Sequence, residues 1–234
     1  MREIVFDTET TGFNPRGGDR VIEIGAVEII DLIPTGQTFH CYINPERDVP
    51  ADAVKVHGLT ADFLRDKPLF SHPEVGPAFY EFVGDARLVA HNAKFDRGFI
   101  DMELERIGLP LWGDEQWLDT YRLAQQQFPG SYNSLDALCK RFNISLESRD
   151  LHGALIDAKL LASVYLELNG GRERRLSFGE VKTTETSQTV SRVSVAVRPE
   201  PLPSRLTEAE RAAHAEFIAE LGDDSLWAQA QSQT

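Results

Sequence analysis

The chain has 234 residues, of which 41% are apolar and 26% charged, enough for one well-packed domain plus an appendage. A formal charge of −13 counts against a protein that grips nucleic acid through its own Lys/Arg surplus. Action on a polyphosphate would then need divalent cations, a local basic patch or a partner that holds the substrate. Cys41 and Cys139 lie far apart without CxxC or zinc-ligand spacing, and no signal peptide or long apolar run precedes the first apolar segment. The expectation is a soluble, cytoplasmic protein with reduced thiols and no membrane partner.

In chain order, residues 2–7 read as a short buried strand and "RVIEIGAVEII", residues 20–30, as a longer one rich in β-branched side chains. Residues 38–43, "TFHCYI", alternate as a third strand ending at Asn44-Pro45, and 87–91 and 116–119 are shorter candidates. Helical patterns cover 94–107, 120–127, 134–142 and 153–168. Strands joined by short turns, followed by strands alternating with helices, predict an α/β domain with a mixed sheet flanked by helices over residues 1–170. After Asn169-Gly170-Gly171 the composition turns Thr/Ser/Val/Arg-rich without helical period and then proline-rich in "RPEPLPS", so 171–203 reads as a flexible linker. Residues 204–234 hold a short helix with a Thr207/Glu210 capping box, Ala213, Phe217 and Leu221 on one face, and Gly222 to close it. One amphipathic helix of this length is marginal in water, which suits a docking segment.

The chemistry concentrates in "EIVFDTETTG". Side chains alternate along a strand, so Asp7 and Glu9 point to one face at its carboxyl end. A D-x-E by itself is most often a solvated loop. In "LHGALIDAKLLASVYLEL", however, Asp157 falls on the same stripe as Leu161, Val164 and Leu168, the inward one, where a carboxylate is costly unless paired or bound to metal. Asp96 in "AHNAKFDRGF" lies just inside a helix that Asn92 could cap; taken alone, it reads as an ordinary first-turn acid favoured by the helix dipole. His152 precedes Asp157 by five residues, about 140° away on a continuous helix, so sharing a site requires it to lie on the loop before the helix start. Four hard oxygen donors without cysteine suit Mg²⁺ or Mn²⁺. Two such ions can clamp the attacking and leaving oxygens of an in-line phosphoryl displacement, with a histidine as general base for the water. The residues alone therefore lead to metal-dependent phosphodiester hydrolysis.

"FDTETTG", "HNAKFD" and "LHGALIDA", in this order and spacing, resemble the three exonuclease motifs of the DEDDh family. "RVIEIGAVE", "VHGLT", "FPGSYNSLDALCKRF" and "GALIDAKLLASVYL" extend the resemblance to the epsilon subunits of bacterial DNA polymerase III, the proofreading 3′→5′ exonucleases, strongly over residues 2–170. The resemblance implies a ribonuclease H-like fold, a mixed sheet of about five strands with the second antiparallel, followed by a flexible C-terminal tail. It implies two Mg²⁺ or Mn²⁺ ions. Asp7, Glu9 and Asp157 would hold the first, Asp7 would also face the second with support from Asp96, and His152 would activate the water. Thr8, Thr10, Thr11 and Gly12 would line the 3′-terminal nucleotide, flanked by His57, His91, Asn92 and Phe95. The substrate would be the single-stranded 3′ end of DNA, released as nucleoside 5′-monophosphates.

The resemblance also implies partners, and these account for the acidic charge. A polymerase alpha subunit would bind the C-terminal segment, with Leu226 and Trp227 as anchors. A sliding clamp would take residues 174–178 through Leu176 and Phe178, although the glutamine usual in that peptide is absent. An additional small core subunit is a third partner of this family. Two rivals stand beside this reading: a DEDDh ribonuclease that trims RNA 3′ ends, and a scaffold that has lost catalysis.

Overall fold

A computed structural model describes residues 1–146, 153–171 and 206–221. The chain divides into two units, Met1–Phe178 and Gly179–Thr234. In the first, a five-stranded sheet runs in the order β3-β2-β1-β4-β5, from β1 (Arg2–Thr10), β2 (Val21–Ile30), β3 (Ile33–Tyr42), β4 (Arg87–Ala90) and β5 (Trp117–Asp119). β2 is antiparallel to β1 and β3, whereas β4 is parallel to both β1 and β5. The mixed sheet expected from the sequence is thus present, with its second strand reversed.

Three differences from the sequence reading have physical causes. β1 does not stop at Asp7: Thr8, Glu9 and Thr10 stay paired to β2, opposite Ile24, Glu23 and Val21, with a register shift between Glu9 and Thr10. β3 begins at Ile33 rather than 38, because Asp31 and Leu32 turn the hairpin at φ 50° and 69° and its polar start, Pro34 to Gln37, lies on the exposed edge of the sheet. Backbone pairing to β2 holds it there, which apolar periodicity does not report. Finally, α1 (Ala51–His57), α2 (Ala61–Leu64) and α3 (Gly76–Val83) occupy a stretch that showed no helical pattern, since each is too short to display one.

The longer helices are α4 (Ala93–Ile107), α5 (Thr120–Gln127), α6 (Leu135–Arg141) and α7 (Ala154–Leu168). Alternation along β1 sorts its side chains between two layers. Ile4 and Phe6 join Phe79, Leu88, Phe99, Ile100 and Leu104 in the core beneath α3 and α4. Val5 joins Val27, Ile29, Val89, Ala158, Leu161 and Tyr165 in the core beneath α7. Burying each large apolar side chain is worth about 1.5–3 kcal/mol, so the two cores lock β1 between layers and fix which way its last residues point. Asp7 and Glu9 follow Val5 toward α7, whereas Thr8 follows Phe6 toward α4.

In the second unit the described element is α8 (Glu208–Leu221). Its start carries the expected capping box: Thr207 Oγ1 accepts from Glu210 N (3.3 Å) and Glu210 Oε2 accepts from Thr207 N (2.8 Å). Phe217 on this helix is exposed. The linker, Leu176, Phe178, Gly222, Leu226 and Trp227 lie outside the described residues.

Candidate active site

Among the described residues, Asp7, Glu9 and Asp157 each bring a carboxylate oxygen to within 4.8 Å of the other two. Asp7 and Glu9 come from the carboxyl end of β1 and Asp157 from the first turn of α7. What lets helix and strand meet is Gly25, which pairs with Asp7 in the β1–β2 ladder. A Cβ there would overlap the backbone of Ala154 and Leu155, so only glycine allows α7 to start directly beside Asp7. Asp157 is 3% exposed. Three carboxylates this close, one of them buried, repel unless a cation lies among them, and an all-oxygen donor set suits a hard divalent ion. These three residues therefore fit a metal.

Asp96 is not in this trio. It is 2% exposed in the first turn of α4, and Thr8 Oγ1 donates to it at 2.8 Å. It is not the solvated first-turn acid that the helix pattern alone suggests. Burial above all, with the Asp119 carboxylate adding to it, pushes its pKa up to about 7. Thr8 is itself buried and its hydroxyl is committed to Asp96.

Asn92 stands at the N-cap of α4 but does not cap it through its side chain. It is held in the left-handed region at φ 68°, and its own N–H donates to Asp119 Oδ1 at 3.0 Å. The same oxygen accepts from Tyr121 N (2.9 Å) and so caps α5. Asp119, which the sequence did not single out, thus ties together the starts of the two helices that follow β4 and β5.

The loop after β1 is pinned from beneath. Thr11 N donates to Arg20 O (2.9 Å) and Thr11 Oγ1 accepts from Arg20 N (3.0 Å). The Arg20 guanidinium in turn grips buried Glu103 of α4 at 2.6 and 3.0 Å. Thr10 Oγ1 donates to Gly12 O at 2.6 Å. At Gly12, a Cβ would run into the Asp19 carboxylate, so a larger residue here would displace that side chain. Phe13 follows, 89% exposed, its ring 6.3 Å from that of Phe95. An exposed Phe beside a half-buried one is an apolar lip that the motif reading passed over; the signal was an aromatic directly after "DTETTG".

His57 ends α1, buried, with Nδ1 accepting from Leu59 N at 3.0 Å. His91 is more fully engaged. The Asn133 carbonyl, which can only accept, lies 2.9 Å from Nε2, so that nitrogen carries the proton and Nδ1 faces the Thr120 hydroxyl at 2.9 Å. Burial lowers the His91 pKa, keeping the ring neutral.

Residues 4–165 match the family described as Exonuclease. The chain is 42% identical over 231 residues to the DNA polymerase III subunit epsilon of Rickettsia felis, covering 94% of this chain and 97% of that one. It is 49% identical over 177 residues to the DNA polymerase III subunit epsilon of Pasteurella multocida, covering 73% and 69%. The chain belongs to the epsilon-subunit family of exonucleases. Among solved structures, Exonuclease X in complex with 5′ overhanging duplex DNA is 30% identical with a TM-score of 0.55, over 71% of this chain and 89% of that one. The nuclease domain of 3′hExo, a DEDDh family member bound to rAMP, has a TM-score of 0.61 at 19% identity and covers 72% and 92%, a likeness of fold.

Set against the epsilon-subunit family, the motif residues divide by where the fold puts them. Asp7, Glu9 and Asp157 meet; Asp96 pairs with Thr8; Thr10, Thr11, Gly12 and Phe95 belong to the lip beside the end of β1. His152 lies outside the described residues, which resume at Gly153, immediately before α7. No helix among the described residues is long and apolar enough to cross a membrane.

Proposed function

We propose that this chain is the proofreading 3′→5′ exonuclease subunit of a replicative DNA polymerase, hydrolysing the terminal phosphodiester of an unpaired 3′ end of DNA. The observation that carries this reading is the approach of Asp7, Glu9 and Asp157 to within 4.8 Å of one another in a chain of the epsilon-subunit family. These three residues would hold one divalent cation, and Asp7 would also face a second, Mg²⁺ or Mn²⁺ in each case, with Asp96 supporting it through water. Bound there, the ions supply charge neutralisation at the attacking and leaving oxygens. His152 takes the proton from the attacking water. Thr10, Thr11, Gly12 and His57 border the terminal nucleotide, with His91 and Asn92 beyond them. Phe13 and Phe95 supply an apolar surface for its base; stacking on an aromatic is tolerant of base identity, as an editing site requires. Selectivity for errors needs no recognition of the mismatch: a mispaired end unpairs at lower cost and so reaches a single-strand site more often.

The C-terminal segment, residues 204–234, docks on the polymerase alpha subunit through Leu226 and Trp227, and Leu176 and Phe178 in the 171–203 linker face the sliding clamp. Tethering raises the local concentration of this acidic subunit at the primer end, so it does not need strong affinity for DNA of its own. A small third subunit of the core is a further proposed partner. Cytoplasmic placement follows from this role.

The test is digestion of a 5′-labelled single-stranded DNA with Mg²⁺, wild type against Asp7→Ala/Glu9→Ala, with a matched RNA in parallel. A ladder shrinking from the 3′ end of DNA, absent in the variant and weak on RNA, is the expected result. Preferential trimming of the RNA would favour the ribonuclease instead, and an inert wild type the scaffold.

A further inference from the structure

Directly across the β1–β2 ladder from Glu9 stands a second glutamate, Glu23. Residues opposite one another in an antiparallel pair point to the same face, with Cβ atoms about 4.5–5.5 Å apart. Glu23 therefore shares the α7 side of the sheet with Asp7 and Glu9. It is 3% exposed, the one charged side chain in the run from Val21 to Val27. Like charges in direct opposition destabilise a strand pair, and burial adds to that cost, so packing alone gives no reason for an acid here.

Glu23 does not join the three carboxylates whose oxygens converge. Its Oε1 is met by His40 of β3, whose Nε2 lies 2.7 Å away. A carboxylate can only accept, so Nε2 carries the proton and donates. His40 stands opposite Gly25 in the β2–β3 ladder, diagonal to Glu23, while Tyr42 is the residue directly across from Glu23. The His40 ring meets that of Tyr42 edge-on at 4.9 Å between centroids, and Tyr42 meets Phe63 of α2 in the same way at 5.0 Å. A buried carboxylate beside Glu9 is thus tied outward, toward the edge strand, and its anchor is braced by two aromatic rings.

We propose that Glu23 is a positioning residue for the divalent cation: tied back by His40, its carboxylate repels that of Glu9 toward Asp7 and Asp157 and adds negative charge beside the site without ligating. This assignment rests on the metal-dependent reading above. Repulsion between Glu9 and Glu23 is unfavourable in the metal-free chain and is relieved when a cation binds, so the pair converts a cost to the empty protein into affinity for the ion. His40 acts one step further out, by fixing which way Glu23 points, as groups behind a metal ligand commonly do.

The experiment is Mn²⁺ binding by the full chain without DNA, read as loss of the free ion's electron paramagnetic resonance signal. Glu23→Gln keeps the shape and can still accept from His40, and it is expected to weaken Mn²⁺ binding about tenfold. His40→Ala removes the donor to Glu23 and should weaken binding in the same direction, with His40→Gln, which restores a donor, recovering most of it. In a Glu9→Gln background, Glu23→Gln should cause little further loss, because its effect passes through Glu9. A purely structural Glu23 would lower Tm in EDTA and leave Mn²⁺ affinity where it was. Unchanged or tighter binding in Glu23→Gln, or in His40→Ala should the first variant not fold, overturns the assignment and leaves the exonuclease reading standing. A wild-type chain that binds no Mn²⁺ overturns the metal site on which the assignment depends.

Discussion

Gly25 lies directly across from Asp7 in the β1–β2 ladder, and the backbone of Ala154 and Leu155 fills the space that a side chain at Gly25 would occupy. The distance between the β1 carboxylates and Asp157 is therefore set by the absence of a Cβ on a third strand position. Gly25→Ala is expected to push the first turn of α7 outward, costing about 1–3 kcal/mol of stability and weakening divalent-metal affinity about 10–100-fold. Titration with Mn²⁺, read by the rise in Tm, checks this. Destabilisation with an unaltered metal titration would show that the helix start does not govern the site.

The buried Asp96 makes the metal-free protein sensitive to pH in an unusual direction. Its folded pKa of about 7 lies above the ordinary 3.8, so between those values the folded chain keeps a proton that the unfolded chain has released. Stability from this group is full below about pH 4 and is lost as the pH rises through about 7. In EDTA, Asp96→Asn should match wild type in Tm near pH 4 and exceed it by several degrees at pH 8. Mg²⁺ should shrink that difference, because a cation stabilises the carboxylate. An equal offset at both pH values would exclude the Asp96 proton as its source.

At the opposite end of α7, Tyr165 donates to buried Glu3 at 3.0 Å, and Arg87 approaches the same carboxylate at 3.6 Å. Burial foremost, together with the Glu3 charge, pushes the Tyr165 pKa up to about 12, so the phenol keeps its proton to donate. Tyr165→Phe leaves Glu3 short of one partner and should cost about 1–2 kcal/mol in urea denaturation. Since Asp157 sits at the other end of the helix, kcat at a temperature well below Tm is the informative second reading: a large drop would mean that the far anchor also sets the site.

Arg20 couples the loop after β1 to α4 through Glu103, which is 1% exposed. Arg20→Ala would leave that carboxylate paired with Arg106, 2.9 Å away, at a cost of about 2–4 kcal/mol. The loop carrying Thr10, Thr11 and Phe13 would loosen as well. A KM for single-stranded DNA raised several-fold is the expected kinetic result; an unchanged KM in a destabilised protein would confine Arg20 to a structural role.

The sequence by itself determined the family and the run of strands and larger helices along the chain, and it marked the candidate carboxylates, because those features are local. Alternation placed Asp7 and Glu9 on one face, and a helical stripe marked Asp157 as inward. Only the tertiary structure decided which carboxylates meet. Asp7 and Glu9 follow Val5 toward α7, Thr8 follows Phe6 toward α4, and so Asp96 is met by Thr8 and not by the trio. The same holds for Gly25, Asp119 and the Asn133 loop, whose roles consist of contacts with residues distant in the chain. A pattern in sequence records the face a residue belongs to; what stands opposite that face is fixed only when the layers pack.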